Sequence, residues 1–256
     1  MLTELARANS VKAFYRGDIA QRIADGFQKN GGLVTAQNMA AYRARLIEPL
    51  KMTWGRQSIH TAPLTAGGLS VLQMLLTLQA MNWDKLPAGL LKTHARVEAM
   101  RLAWRDRLTL LGDPEFSDVP VTRLMSEDYA RESADRIMAA VKDGKPLAHA
   151  VTPRPHTGTI HLSAADRHGN FAALTLTHGN TFGACVTVVV LGQPIKESIA
   201  ASRLHTEGDT TLSVEKAWPV EDTTALRNLG YTFTTSGSAT MSAVAVENGG
   251  LQQARR

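Results

Sequence analysis

Apolar residues recur at helical spacing through the first part of the chain and at alternating positions through the rest. Ile19, Ile23, Ala24 and Phe27 fall on one face of a helix predicted over residues 18–30, and Gly31-Gly32 supplies a left-handed stop. Thr35 is placed to cap a short helix running through Tyr42. Leu50–Trp54 and Gln57–Thr61 read as the two strands of a hairpin around Gly55. Gly67-Gly68 opens a strongly apolar helix from Leu69 to Met81. A longer helix starts at Pro87, runs to Leu111 and is ended by Gly112-Asp113-Pro114. Ser126, with Glu127 and Asp128 in the first turn, begins a helix through Val141.

Residues 142–158 are rich in proline, glycine and charge and read as an exposed linker. Past them the period changes. A helix is expected over Ile195–Ala201, a strand over Thr211–Lys216 and a helix over Glu221–Leu229 ending at Gly230. Strands Tyr231–Thr235 and Met241–Val246 close the chain around the Asn248-Gly249-Gly250 turn. The pattern is α+β, with a helical part over 1–158 and a β-rich part over 159–256.

The hairpin that follows the linker carries the candidate chemistry. With Arg167-His168-Gly169 as a three-residue loop and Gly169 in its left-handed position, Asp166 faces Asn170. Counting back, Ser163 faces Ala173, His161 faces Thr175 and Thr159 faces Thr177. Alternation sets Thr159, His161 and Ser163 on one side, and Ile160, Leu162 and Ala164 on the other. A hydroxyl is a poor nucleophile until a base takes its proton. Cutting the Gly158–Thr159 bond would give Thr159 a free α-amine of pKa about 8, which can serve as that base. The same residues also suit a plain strand pair, because cross-strand Thr–Thr contacts stabilise sheets. His161 and His178 read as hydrogen-bonded strand and turn histidines.

Composition narrows the field. A chain of 256 residues with 44% hydrophobic and 20% charged content can bury a sizeable core. The net charge of +5 is mild, and Arg43/Arg45 and Arg101/Arg105/Arg107 read as solvated helix faces. With aromatics at 5%, that excludes a nucleic-acid footprint. The single cysteine, Cys185, excludes an internal disulfide and reads as a small buried hydrophobe. No apolar run reaches the roughly 18 residues of a membrane span. His94, His149, His156, His161 and His168 lack metal-ligand spacing, so neither metal nor cofactor is expected. The Gly-x-Ser-x-Gly elbow, the phosphate-binding loop, His-Glu-x-x-His and the Rossmann glycines are missing.

Several segments, taken in order, resemble the gamma-glutamyltransferase family. They are Phe14–Ala20, Lys29–Thr35, Gly67-Gly68, Leu111–Pro114, Gly158–Ser163, Asp166–Asn170, Thr177–Gly183 and Ala201–His205. The resemblance runs from about Ala13 to Ser238 and implies an N-terminal nucleophile hydrolase: an incomplete αββα sandwich whose precursor cleaves itself between Gly158 and Thr159. Thr159 would then be the nucleophile that passes a γ-glutamyl or similar acyl group to water or an amine. Thr177 matches the family threonine that hydrogen-bonds it. The resemblance further implies a small γ-glutamyl donor such as glutathione, and large and small pieces that stay associated after cleavage.

Three departures from the family pattern accompany this. The family's large subunit begins well before Met1, and an arginine that holds the donor's α-carboxylate lies in that part. Similarity runs to Val188 and resumes at Val189 next to a stretch normally distant, skipping central strands, the acidic residue for the donor's α-amine and the oxyanion glycines. Asn180 stands one position beyond Gly179, where glutathione-using members often carry Asn. Gly179 and Asn180 are the candidate substrate-binding positions, and His178-Gly179 is closer to the gamma-glutamyltransferase-like branch. The departures leave a second expectation open, a truncated, inactive member acting as a binding or scaffold protein. Relatives are usually periplasmic or secreted; Met1–Ser10 carry no signal peptide, so a chain complete at Met1 is expected in the cytoplasm.

Overall fold

The computed structural model describes residues 2–148, 159–168, 171–177, 194–236, 242–247 and 250–255. The chain divides into two compact units, Met1–Glu48 and Pro49–Arg256.

The first unit holds four helices: α1 (Leu2–Ala8), α2 (Lys12–Arg16), α3 (Asp18–Lys29) and α4 (Ala36–Ala41). Ile19, Ala20 and Ala24 form the buried stripe of α3. Phe27, expected on the same stripe, is 46% exposed. Its work lies at the helix end. Gly31 adopts φ +75° and donates to the Gln28 carbonyl, while Gly32 donates to the Phe27 carbonyl at 2.7 Å. A Cβ on Gly32 would sit 2.7 Å from the Phe27 ring, so the ring closes over a glycine that must stay bare. Thr35 caps α4 as expected, exchanging hydrogen bonds with Asn38 in a reciprocal capping box.

The second unit begins with β1 (Leu50–Trp54) and β2 (Gln57–Thr61), which pair antiparallel from Leu50↔Thr61 to Trp54↔Gln57 around Gly55. Helices α5 (Gly68–Ala80), α6 (Leu90–Leu110), α7 (Val121–Leu124) and α8 (Glu127–Asp143) follow. Leu69, Leu72, Leu75 and Leu78 of α5 are all fully buried. A helix apolar on every side belongs in a core, and α5 packs against both α6 and α8. Ser126 caps α8 by accepting from the Tyr129 N–H at 3.2 Å, and Gly144 ends it at φ +63°.

The arginines of α6 depart from the solvated face expected of them. Arg101 is 1% exposed, the Arg105 side chain 20%, and Arg107 lies half-buried over the Trp104 ring at 5.7 Å. Their periodicity is helical, but α6 is buried on nearly every side, so its charges turn inward onto partners. Arg43 and Arg45 are exposed. α6 also starts at Leu90 rather than Pro87, behind Gly89 at φ +109°.

Past the linker come β3 (Thr159–Ala165), β4 (Phe171–Thr177), α9 (Ile195–Ala200), β5 (Leu204–Thr206), β6 (Thr211–Glu215), α10 (Val220–Asn228), β7 (Thr232–Ser236), β8 (Ser242–Glu247) and β9 (Gly250–Arg255). β3 and β4 pair antiparallel, as do β5 with β6 and β8 with β9. β7 joins β6 in parallel after the α10 crossover. Strands β5 and β9 had no expectation behind them. β8 lies alongside β3, and α9 packs on β8 and β9. The candidate hairpin therefore has β8 at its flank.

Candidate active site

The hairpin register agrees with the arithmetic of the sequence. Thr159 pairs with Thr177, His161 with Thr175 and Ser163 with Ala173, and the ladder ends at Ala165↔Phe171. Its loop is tied by Asp166, whose Oδ1 accepts the His168 N–H at 2.8 Å. An aspartate that folds its carboxylate onto a backbone N–H two residues on is a turn former, so the local sequence sets the register that opposes the two threonines. Thr159 is the first residue of β3 and Thr177 the last of β4. Both therefore stand at the open end of the hairpin, where the linker enters. A chain end freed there would begin at the first rung of the ladder.

Gly158, Gly179 and Asn180 lie outside the described residues, as do Cys185, His149, His156, His178 and the Val188/Val189 junction. Among the described residues no group of three or more His, Cys, Asp and Glu is placed to hold a metal ion. No described helix is long and apolar enough to cross a membrane.

Burial biases two of the described histidines, His94 and His205, toward the neutral form. His94 is 1% exposed, and burial together with the Arg101 charge pushes it down to about 4, against the opposing pull of a hydrogen bond to the Lys145 backbone. It is neutral at physiological pH. Burial also lowers His205, which lies edge-on to Trp104 at 5.3 Å.

Two buried polar clusters on α6 went unnoticed in the sequence. Asp106, 1% exposed, accepts from Gln73 Nε2 at 2.5 Å, from Arg105 Nε at 2.9 Å and from the Tyr129 hydroxyl. Glu98, fully buried, accepts from Arg101 and from the Tyr231 hydroxyl. The one signal available was the spacing of Glu98 and Arg101, three apart on one helix.

A family model described as gamma-glutamyltranspeptidase matches residues 1–192. The chain belongs to the gamma-glutamyltranspeptidase family. It is 34% identical over 196 residues to a glutathione hydrolase proenzyme of Escherichia coli, covering 74% of this chain and 33% of that protein. It is 31% identical over 185 residues to an acylase ACY 1 proenzyme of a Pseudomonas strain, covering 72% of this chain and 33% of that protein. The chain thus spans about a third of the length of these relatives. Among solved structures, cephalosporin acylase from Bacillus halodurans superposes with a TM-score of 0.78 at 20% identity, over 99% of this chain and 59% of that one. That likeness shows the fold: the mixed α+β architecture of that acylase, present in part. Gamma-glutamyltranspeptidases form an enzyme family, and the relatives carry the name proenzyme.

Proposed function

We propose that this chain is a self-processing acyltransferase or amidohydrolase that cuts itself between Gly158 and Thr159 and then uses Thr159 as its nucleophile. The observation that carries the reading is the pairing of Thr159 with Thr177 at the open end of the β3–β4 hairpin, together with the family membership. In the precursor, the Thr159 hydroxyl adds to the Gly158 carbonyl carbon and the peptide nitrogen leaves, giving an ester. Water then hydrolyses that ester, and Gly158 becomes a carboxylate terminus. The new Thr159 amine, with a pKa of about 8, accepts the hydroxyl proton in each later turnover. The hydroxyl attacks the donor's amide carbonyl, the proton passes to the departing amine, and water or a second amine releases the acyl group from Thr159. Thr177 orients the hydroxyl from the facing strand.

The donor is proposed to be a small amide of the γ-glutamyl type, glutathione among them, because relatives include a glutathione hydrolase proenzyme. The acylase proenzymes extend the class to other acyl amides. Gly179 and Asn180, just past Thr177, are proposed to meet the donor, and the two pieces are proposed to work as one particle in an exported setting.

Denaturing gels and intact mass of purified protein test the cut, and hydrolysis of a γ-glutamyl anilide beside an aliphatic acyl anilide tests the donor. Two pieces split at Gly158/Thr159 with turnover of either anilide support the reading. A single full-length species overturns it. Two pieces without turnover restrict it to maturation chemistry and leave a binding or scaffold role.

A further inference from the structure

Strand β7 ends its sheet. The order is β5–β6–β7, and β7 pairs with β6 in parallel, from Thr211↔Thr232 to Glu215↔Ser236. The Thr232 N–H donates to the Thr210 carbonyl at 3.0 Å, so the main-chain groups of Thr232 and Thr234 point into the sheet. Main-chain groups alternate along a strand, which turns the N–H and C=O of Phe233 and Thr235 outward. Among the described residues no strand pairs with that edge. Side chains alternate as well. Phe233 packs against the apolar cluster of Leu212, Leu226 and Tyr231, whereas Thr232 and Thr234 lie on the other face, bonded to Thr211 at 3.1 Å and to Ser213 at 2.9 Å. Thr232, Thr234 and Thr235 are exposed.

Proteins blunt such an edge with charge, proline, a bulge or a very short strand. β5, at the opposite edge, is cut to three residues. β7 has five, Thr-Phe-Thr-Thr-Ser, uncharged and without proline, on an unbroken register. An open edge of that kind accepts one chemistry, an extended strand offering donors and acceptors at the same spacing. We propose that the occupant is β7 of a second copy of this chain, paired antiparallel about a two-fold axis at Thr234. Phe233 then faces Thr235 of the second copy, and Thr235 faces its Phe233. Each pair exchanges both of its outward hydrogen bonds, and the β6–β7 ladder is left as it is. Thr234 stands opposite itself at a non-hydrogen-bonded rung, where β-branched side chains pack well. The axis closes the assembly at two copies, with one continuous sheet across them.

Charge favours the like partner. α10 carries Glu221 and Asp222 in its first turn and Arg227 in its last. Arg227 lies over the Phe233 ring at 5.2 Å, so the end of α10 stands above the open strand. The axis is perpendicular to the sheet, which puts the two α10 helices on one face, running antiparallel. The acidic start of each is thereby turned toward Arg227 of the other. An unrelated strand would gain the backbone bonds without this exchange.

The inference does not depend on self-cleavage, so it is tested on the full-length Thr159→Ala chain. Sedimentation velocity from low micromolar to near-millimolar concentration is expected to show the mass rising from one chain to two and stopping there, the weak pairing of a small interface. Thr235→Pro deletes an outward N–H that the β6–β7 ladder does not use. It is expected to weaken the dimer at least roughly ten-fold while the urea midpoint moves little. Single cysteines in a Cys185→Ser background read the register. Thr234→Cys meets its own copy across the axis and is expected to cross-link under mild oxidation, whereas Thr232→Cys is out of reach of its copy and is expected not to. The cysteines carry the test if Thr235→Pro does not fold. The proposal is overturned if the chain stays single at every concentration, or if its mass climbs past two copies. It is equally overturned if Thr235→Pro folds and pairs as tightly as the parent, or if Thr232→Cys cross-links as readily as Thr234→Cys.

Discussion

Thr159 opens strand β3 and Thr177 closes strand β4 on the same rung of one antiparallel ladder. That rung is the last before the linker, so the residue proposed to be uncovered by cleavage already faces its proposed partner in the uncut chain. Replacing Thr159 by alanine removes the only group asked to attack the Gly158 carbonyl. The variant is expected to run as one full-length band indefinitely, while Thr159→Ser, which keeps a hydroxyl, is expected to yield two pieces. Intact mass over a time course reads the difference directly.

Thr177 separates the catalytic from the purely structural account of the pair. Valine in its place preserves the β-branched shape that suits a strand and removes only the hydroxyl. A misplaced nucleophile loses on the order of 100-fold in rate, so Thr177→Val is expected to slow cleavage by about that factor while the melting temperature moves little. If instead the melting temperature falls and the cleavage rate holds, the threonines are a cross-strand stabiliser and nothing more.

The hairpin register was legible in the sequence because fixing the turn position settles every pair by counting, and register has period two; Gly169 and Asn170, on which the turn was centred, lie outside the described residues. Helices α4 and α8 were legible from their caps, Thr35 and Ser126. The charged residues of α6 were not. Helical spacing tells that Arg101 and Arg105 share a side, yet whether that side meets water depends on what packs there. In this chain it is Leu147, Asp209, Tyr129 and Tyr231, distant in sequence. Phe27 failed for a related reason: it lies on the right stripe, but its ring is taken up by the glycine turn that ends its own helix. β9 escaped because Gln252 and Gln253 interrupt the apolar alternation; its pairing with β8 supplies what its composition does not.

Acid should unfold the protein through His94. Its folded pKa of about 4 lies below the ordinary value of 6.5, so between those two the unfolded chain binds a proton that the folded chain refuses. Stability therefore falls as pH drops through that window, by at most about 1.4 kcal/mol per pH unit from this group. His94→Gln removes the titration. Urea midpoints measured at pH 7 and pH 5 are expected to lie closer together in the variant than in the parent. The residual acid sensitivity should include His205, whose pKa burial also lowers. An unchanged gap would mean that His94 takes up its proton without strain.

At the alkaline end the relevant group is Tyr129, which donates its hydroxyl to the buried Asp106 carboxylate. Burial, the hydrogen bond to Asp106 and the nearby negative charge together raise its pKa from 10.0 to about 12. Here the sign runs the other way. Above pH 10 the unfolded chain gives up the phenolic proton while the folded chain keeps it, so the stabilisation is whole below 10 and lost as pH climbs through 12. Tyr129→Phe is expected to cost stability at pH 7, because it removes one donor to a charged acceptor, worth about 1.5–3 kcal/mol. Between pH 10 and 12 it should then lose less than the parent does. Asp106→Ala should be costlier at every pH, about 3–5 kcal/mol, because it leaves the largely buried Arg105 without the carboxylate it faces. Denaturant titrations of the three proteins at pH 7 and pH 11 check the order. Equal losses for Tyr129→Phe and Asp106→Ala at pH 7 would show that Arg105 finds water when its carboxylate is gone.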